Sequence, residues 1–163
     1  MAELTNLESK LGEVLGLAMA AQGAADKVQK LDDLDDDLAK TLERMQKEAK
    51  EAEERATEVA QSFEGKKTAI LDEAREVKQK ATDMMKEYLD RSSDALDGFE
   101  FLTMAEAGEV GHWEILKTLN ERARNSGVQE LVEWGIPIQQ RHFEQVRQGS
   151  LKLAAEEDPN ETA

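Results

Sequence analysis

Glu109 and His112 are the residues best placed to do chemistry, because they lie three positions apart in a stretch of helical periodicity. Side chains at positions i and i+3 project from one face of a helix and can hold one metal ion together. Both belong to a stripe that is otherwise apolar or small: Gly98, Leu102, Ala105, Glu109, His112, Leu116, Leu119 and Ala123. Burying an unpaired carboxylate is costly, so we expect a metal, a counter-charge or a hydrogen-bond network beside Glu109.

His142, the second of the chain's two histidines, falls on a similar stripe of the next helix. That stripe contains Gly135, Gln139, His142, Val146, Gly149 and Leu153. Imidazole is the commonest metal ligand, and helices joined by a short turn pack side by side, so His112 and His142 are predicted to face one another in the core. The alternative interpretation is a hydrogen-bonded core histidine beside a half-exposed Glu109.

The amino-acid composition limits which metal ligands and which partners are expected. The 163 residues include no cysteine, so any metal must be held by nitrogen and oxygen ligands, and we expect a reducing, cytoplasmic location. A net charge of −15 would repel nucleic acids and anionic membranes, so neither is expected as a partner. The N-terminal segment has no positive region and spaces its apolar residues helically, so no signal peptide is expected.

The apolar periodicity predicts an all-α protein, since strand-like clusters of β-branched and aromatic residues are absent. Helices are expected over roughly 4–28, 38–63, 68–89, 94–124 and 128–155. The first turn is placed near Asp32 to Asp36, with Gly23 as the alternative, and the last helix is expected to break at Gly135 and Pro137. Residues 1–155 are predicted to form one domain and residues 156–163 a disordered acidic tail.

Three blocks of sequence carry a resemblance to a known family. They are Val59 to Phe63 followed by Glu-Gly-Lys-Lys at 64–67, then Glu109 to Ile115, then Arg141 to Val146. In order and spacing these blocks resemble the ferritin-like superfamily, most closely the small bacterial stress-induced proteins of the YciE and YciF type. The resemblance implies an antiparallel four-helix bundle, an extra shorter helix in the connection between its halves, and a site for two iron or manganese ions.

The resemblance also implies which residues would bind metal. Glu109 and His112 match ligand positions of the third bundle helix, and His142 matches one of the last helix. Arg55 stands where a histidine of the second helix is expected, and Gln139 replaces a carboxylate. A core arginine could pair with Glu109 and take the place of a cation, so Arg55 and Gln139 are predicted as core counter-charges.

These replacements leave two expectations for the centre of the bundle. The first is a single iron or manganese ion, with the candidate ligands Glu109, His112, His142, Glu106 and Glu13. The protein would then be a ferritin-like stress-response protein, at most weakly able to oxidise ferrous iron with oxygen or peroxide. The second is a core without metal, held by salt bridges, in a non-enzymatic interaction protein or a self-assembling structural protein such as a homo-oligomer.

Overall fold

The structure is a computed structural model that describes residues 2–163. Five α-helices make up 81% of the described chain, which contains no strand. Their bounds are α1 Asn6–Gln29, α2 Asp36–Gln61, α3 Lys67–Tyr88, α4 Ala95–Ala123 and α5 Ser126–Ala155. The all-α prediction is therefore confirmed. No described helix is both long and apolar enough to cross a membrane.

Side chains at the N-termini explain where four of the five helices begin. Thr5 and Asp94 each accept a hydrogen bond from the third residue of their helix, whose own side chain bonds back to them. Asp35 and Asn125 cap α2 and α5, and the side chain of each accepts one hydrogen bond from a backbone N–H. The aspartate-rich turn between α1 and α2 is confirmed, whereas Gly23, the alternative turn, lies within α1.

The expected break in the last helix is wrong, because α5 continues through Gly135 and Pro137. Proline removes the hydrogen bond to the carbonyl of Glu133, but both residues are exposed, so water can solvate that carbonyl. Gly135 serves packing rather than a turn. A Cβ added at Gly135 would lie 2.4 Å from the ring of Trp113, so only glycine lets this ring rest against α5.

Four helices contact one another in a ring, in the order α1, α2, α5, α4 and back to α1. The fifth, α3, packs mainly against α1. This approach is close, since a Cβ added at Gly16 of α1 would lie 2.4 Å from the carbonyl oxygen of Ala74 in α3. The small residues of α1 at this contact let the backbones of the two helices approach closely.

The apolar core consists of two clusters. One contains Leu11, Leu15, Ala56, Trp113 and Val132 among others. The second contains Val28, Leu42, Phe99, Leu102 and Val146 among others. In α4 the residues of the second cluster come first and those of the first cluster follow, and in α5 this order is reversed. Between the two sets of residues, each helix has a middle segment that belongs to neither cluster. Those middle segments hold the candidate site.

Candidate functional site

Five side chains from three helices form a polar layer between the two apolar clusters. They are Glu48 of α2, Glu106 and Glu109 of α4, and Gln139 and His142 of α5. All but Glu48 are buried, with exposed fractions between 3% and 6%. Buried carboxylates are rare unless they are paired or bind a cation, so this layer is the chemically unusual part of the core.

Glu106 is held by α5. Its carboxylate accepts a hydrogen bond from the side-chain amide of Gln139, and one of its oxygens lies 3.8 Å from Nδ1 of His142. Burial raises the pKa of Glu106 to about 7, while the hydrogen bond from Gln139 opposes that rise. The carboxyl therefore holds a proton far more tightly than a glutamate in water does.

Glu109 lies one turn further along α4 and is less well supported. Burial raises its pKa well above the ordinary value, and the neighbouring charge of Glu106 raises it further. No hydrogen bond from another described residue offsets its burial. Glu106 and Glu109 thus form an acid pair without a cationic partner, which favours a proton or another cation between them.

His142 links the acid pair to α2. Its Nε2 lies 3.3 Å from a carboxylate oxygen of Glu48, which also pairs with Arg141 and with Arg44. Burial lowers the pKa of His142, and the nearby arginines act in the same direction, whereas Glu48 opposes them. The ring is therefore neutral at neutral pH, and its unprotonated nitrogen can accept a hydrogen bond or bind a metal.

A cavity of about 10 Å³ lies inside the layer, lined by Glu48, Glu109, Gln139 and His142 as well as by apolar side chains. That volume is close to the least that holds one water molecule. The polar groups around it could each bond to such an occupant. The cavity therefore offers room for one small polar species next to the acid pair.

His112 and Glu13 do not belong to this layer, so the predicted pairing of the two histidines is wrong. Nδ1 of His112 lies 3.1 Å from Glu13 and 3.2 Å from Nζ of Lys10, and Lys10 bonds to Glu13. The His112 side chain is 37% exposed. Burial and the charge of Lys10 lower its pKa. His112 thus contributes to the contact between α4 and α1, whereas His142 faces α2.

Arg55 also lies outside the core, so its predicted role as a counter-charge to Glu109 is wrong. Its guanidinium bonds to Glu51 at 2.9 Å, 4.4 Å above the ring of Trp134, and its side chain is 48% exposed. Near Arg55, the residues of α2 that face the core are Ala52 and Ala56, and Arg55 is rotated away from both. Gln139, by contrast, is buried and donates a hydrogen bond to Glu106, although its amide carries no charge.

Glu48 is the site residue that the sequence analysis missed. It lies three positions after Met45 and four before Ala52, both of which face the core, so the helical spacing already placed it on the inner face of α2. Its neighbour Ala49 also faces the core, and the apolar periodicity of 38–63 follows Ala49 rather than Glu48. Glu8, a further carboxylate of α1, is buried but caps its own helix and pairs with Lys66.

The donor atoms of the polar layer fit a transition metal in kind, because carboxylate oxygens and imidazole nitrogen suit iron and manganese. Their positions are not those of an assembled centre. Among residues 2–163, no three histidine or acidic side chains are arranged to hold an ion. Glu106 is engaged by Gln139, and Glu48 by two arginines. Binding an ion beside His142 would require Glu106 to give up the hydrogen bond from Gln139.

No protein-family model, no curated protein and no solved structure matches this chain.

Proposed function

We propose that the protein is a ferritin-like bundle that binds one divalent iron or manganese ion in its polar layer, and that it acts in the stress response that the family resemblance implies. The observation that carries the proposal is the acid pair. Glu106 and Glu109 are both at least 95% buried, have no cationic partner among residues 2–163, and lie beside the neutral ring of His142. A divalent cation would offset both charges where solvent cannot.

The helix arrangement supports the ferritin-like part of this proposal. Contacts among α1, α2, α5 and α4 close a ring, as expected for a four-helix bundle. The remaining helix, α3, has 22 residues, is the shortest of the five, and lies between α2 and α4 in the chain. That is the place in the chain where the resemblance predicts an extra helix.

Several residues of the chain would have defined tasks. Glu109, free of other hydrogen bonds, can turn toward the ion at least cost. Glu106 would exchange the amide of Gln139 for the ion, while Glu48 would keep the ring of His142 oriented through Nε2. Ferrous iron held there would supply a centre that reacts with oxygen or peroxide. Because ligands must first leave their partners, binding should be weak compared with that of a preassembled site.

Equilibrium dialysis against Mn(II), and against Fe(II) without oxygen, tests the proposal. The wild type should bind one ion per chain. Glu109→Gln and His142→Gln should each weaken binding by about tenfold or more, as expected for the loss of a ligand. Glu100→Gln is the matched control, because Glu100 is an exposed residue of the same helix, and it should bind as the wild type does.

Two outcomes would contradict the proposal. One is a wild type that binds neither ion. The other is Glu109→Gln protein that binds as tightly as the wild type, which would place the ions on the acidic surface. Circular dichroism on each variant excludes unfolding as the cause of a weaker affinity.

A further inference from the structure

A second, larger cavity approaches the acid pair from the opposite side. It lies among α1, α3 and α4 and has a volume of about 230 Å³. Of the sixteen residues that line it, only Thr82, Glu106, Glu109 and His112 are polar, and the others are alanine, leucine, methionine, phenylalanine and glycine. The walls are therefore apolar, and the ionisable groups are confined to α4.

The cavity is open to solvent, and its two acids are buried. Met84 and Met104 line it with 58% and 48% of their surface exposed, so they mark its mouth. Glu106 and Glu109 line it with only 3% and 5% exposed, so they mark its base. A ligand in the cavity would therefore contact both apolar side chains and the buried acids.

We propose that this cavity binds small organic ammonium ions, that is, an apolar body with a single protonated amine. The amine would donate to the carboxylate of Glu109 and so supply the partner that this buried group lacks. The apolar part of the ligand would cover the apolar side chains of the cavity and so remove their surface from water. This ligand class lies beyond the metal function proposed above.

The size of the cavity and the charge of its acids both favour an organic ammonium ion as the ligand. A cavity of about 150 Å³ lined by apolar residues can hold benzene, so the larger volume here suits an aromatic ring or short alkyl chain with an amine attached. A neutral hydrocarbon would leave Glu109 without a partner, and a carboxylate would meet two acids of its own sign. The net charge of −15 would in addition raise the local concentration of cations.

Calorimetric titration of metal-free protein in slightly alkaline buffer tests this inference with three probes of similar size. Benzylammonium should bind about tenfold or more tightly than benzyl alcohol, because a charge-assisted hydrogen bond is stronger than a neutral one. Benzoate should not bind measurably. Glu109→Gln should abolish the preference for the amine over the alcohol.

A variant that fills the cavity separates binding inside it from attraction to the acidic surface. Ala81→Leu adds bulk on the α3 wall away from the acids, and Ala154→Leu is the matched control on the exposed end of α5. Ala81→Leu should lose benzylammonium binding while it still binds Mn(II), and Ala154→Leu should bind both. Ala20→Leu, which fills the α1 wall, repeats the test if Ala81→Leu does not fold.

Equal affinity for the amine and the alcohol, or undiminished amine binding by both cavity-filling variants, would overturn the inference. The two proposals can fail separately. Wild type that binds Mn(II) but not benzylammonium contradicts only the ligand inference, and wild type that binds benzylammonium but no metal contradicts only the metal function.

Discussion

The metal-free protein should lose stability as the pH rises from acidic to neutral values, because its core acids hold their protons more tightly when folded. Burial raises the pKa of Glu106 from 4.5 to about 7, so its contribution is fully present below about pH 4.5 and is lost as the pH rises through about 7. At about 1.4 kcal/mol per pH unit, this corresponds to on the order of 3 kcal/mol. Glu109 adds a loss of the same sign, since its pKa is also raised.

Urea unfolding at a series of pH values, with chelator present, measures this loss. The double variant Glu106→Gln with Glu109→Gln keeps the shape of both side chains but cannot titrate. Surface carboxylates contribute equally to both proteins, so the difference in free energy of unfolding isolates the acid pair. The double variant should become the more stable protein near neutral pH, by about 3 kcal/mol or more.

Glu100→Gln serves as the matched control and should keep the pH dependence of the wild type, because Glu100 is exposed. Parallel stability curves for the wild type and the double variant across this pH range would refute the reasoning. Such a result would mean that Glu106 and Glu109 are ionised in the folded protein at little cost, and hence that they are better solvated than their burial indicates.

Two further predictions concern packing and surface charge. Gly111→Ala should raise the free energy of unfolding by about 0.5–1 kcal/mol, because no described atom lies near the added Cβ. Gly135→Ala should lower it by about 1–3 kcal/mol, because the added Cβ clashes with Trp113. Urea unfolding of both variants measures this contrast, and a lower stability of Gly111→Ala would contradict the account. Arg55→Ala should cost under about 1 kcal/mol, since its ion pair and its contact with Trp134 lie at the surface. A cost of about 3 kcal/mol or more in thermal or urea unfolding would instead indicate a core role for Arg55.

The sequence predicted the helices well because the signals for them are local. Apolar spacing and the capping residues Thr5, Asp35, Asp94 and Asn125 depend only on near neighbours in the chain. The continuity of α5 through Pro137 was not predictable in the same way. It depends on the exposure of the carbonyl that loses its hydrogen bond, which is set by how the whole helix packs.

The polar layer was predicted only in part because a helical stripe covers a wide arc. Glu106, Glu109 and His112 are three residues apart, and each step turns the side chain by about 60° around the helix. Glu106 therefore meets α5, Glu109 lies near the centre, and His112 turns toward α1. The sequence shows that all three share a face, but not which neighbouring helix each one meets.

Arg55 lies outside the core because of the rotation of α2 about its axis. Matching Arg55 to a metal-binding position assumed that α2 keeps the rotation of the family's second helix. The buried positions Met45, Ala49, Ala52 and Ala56 instead set a rotation that turns Arg55 outward and Glu48 inward. Helical phase within this chain was the more reliable guide.

The most direct test of the central claim follows the two histidine rings separately while a metal is added. With ¹⁵N-labelled histidine, the chain gives only two ring systems in a long-range ¹H–¹⁵N NMR spectrum, and His142→Gln identifies which belongs to His142. Titrated with Zn(II) as a diamagnetic divalent probe, the His142 ring should shift and saturate at one ion per chain, while the His112 ring stays unchanged. A spectrum in which neither ring shifts, or in which only His112 responds, would contradict a metal site in the polar layer.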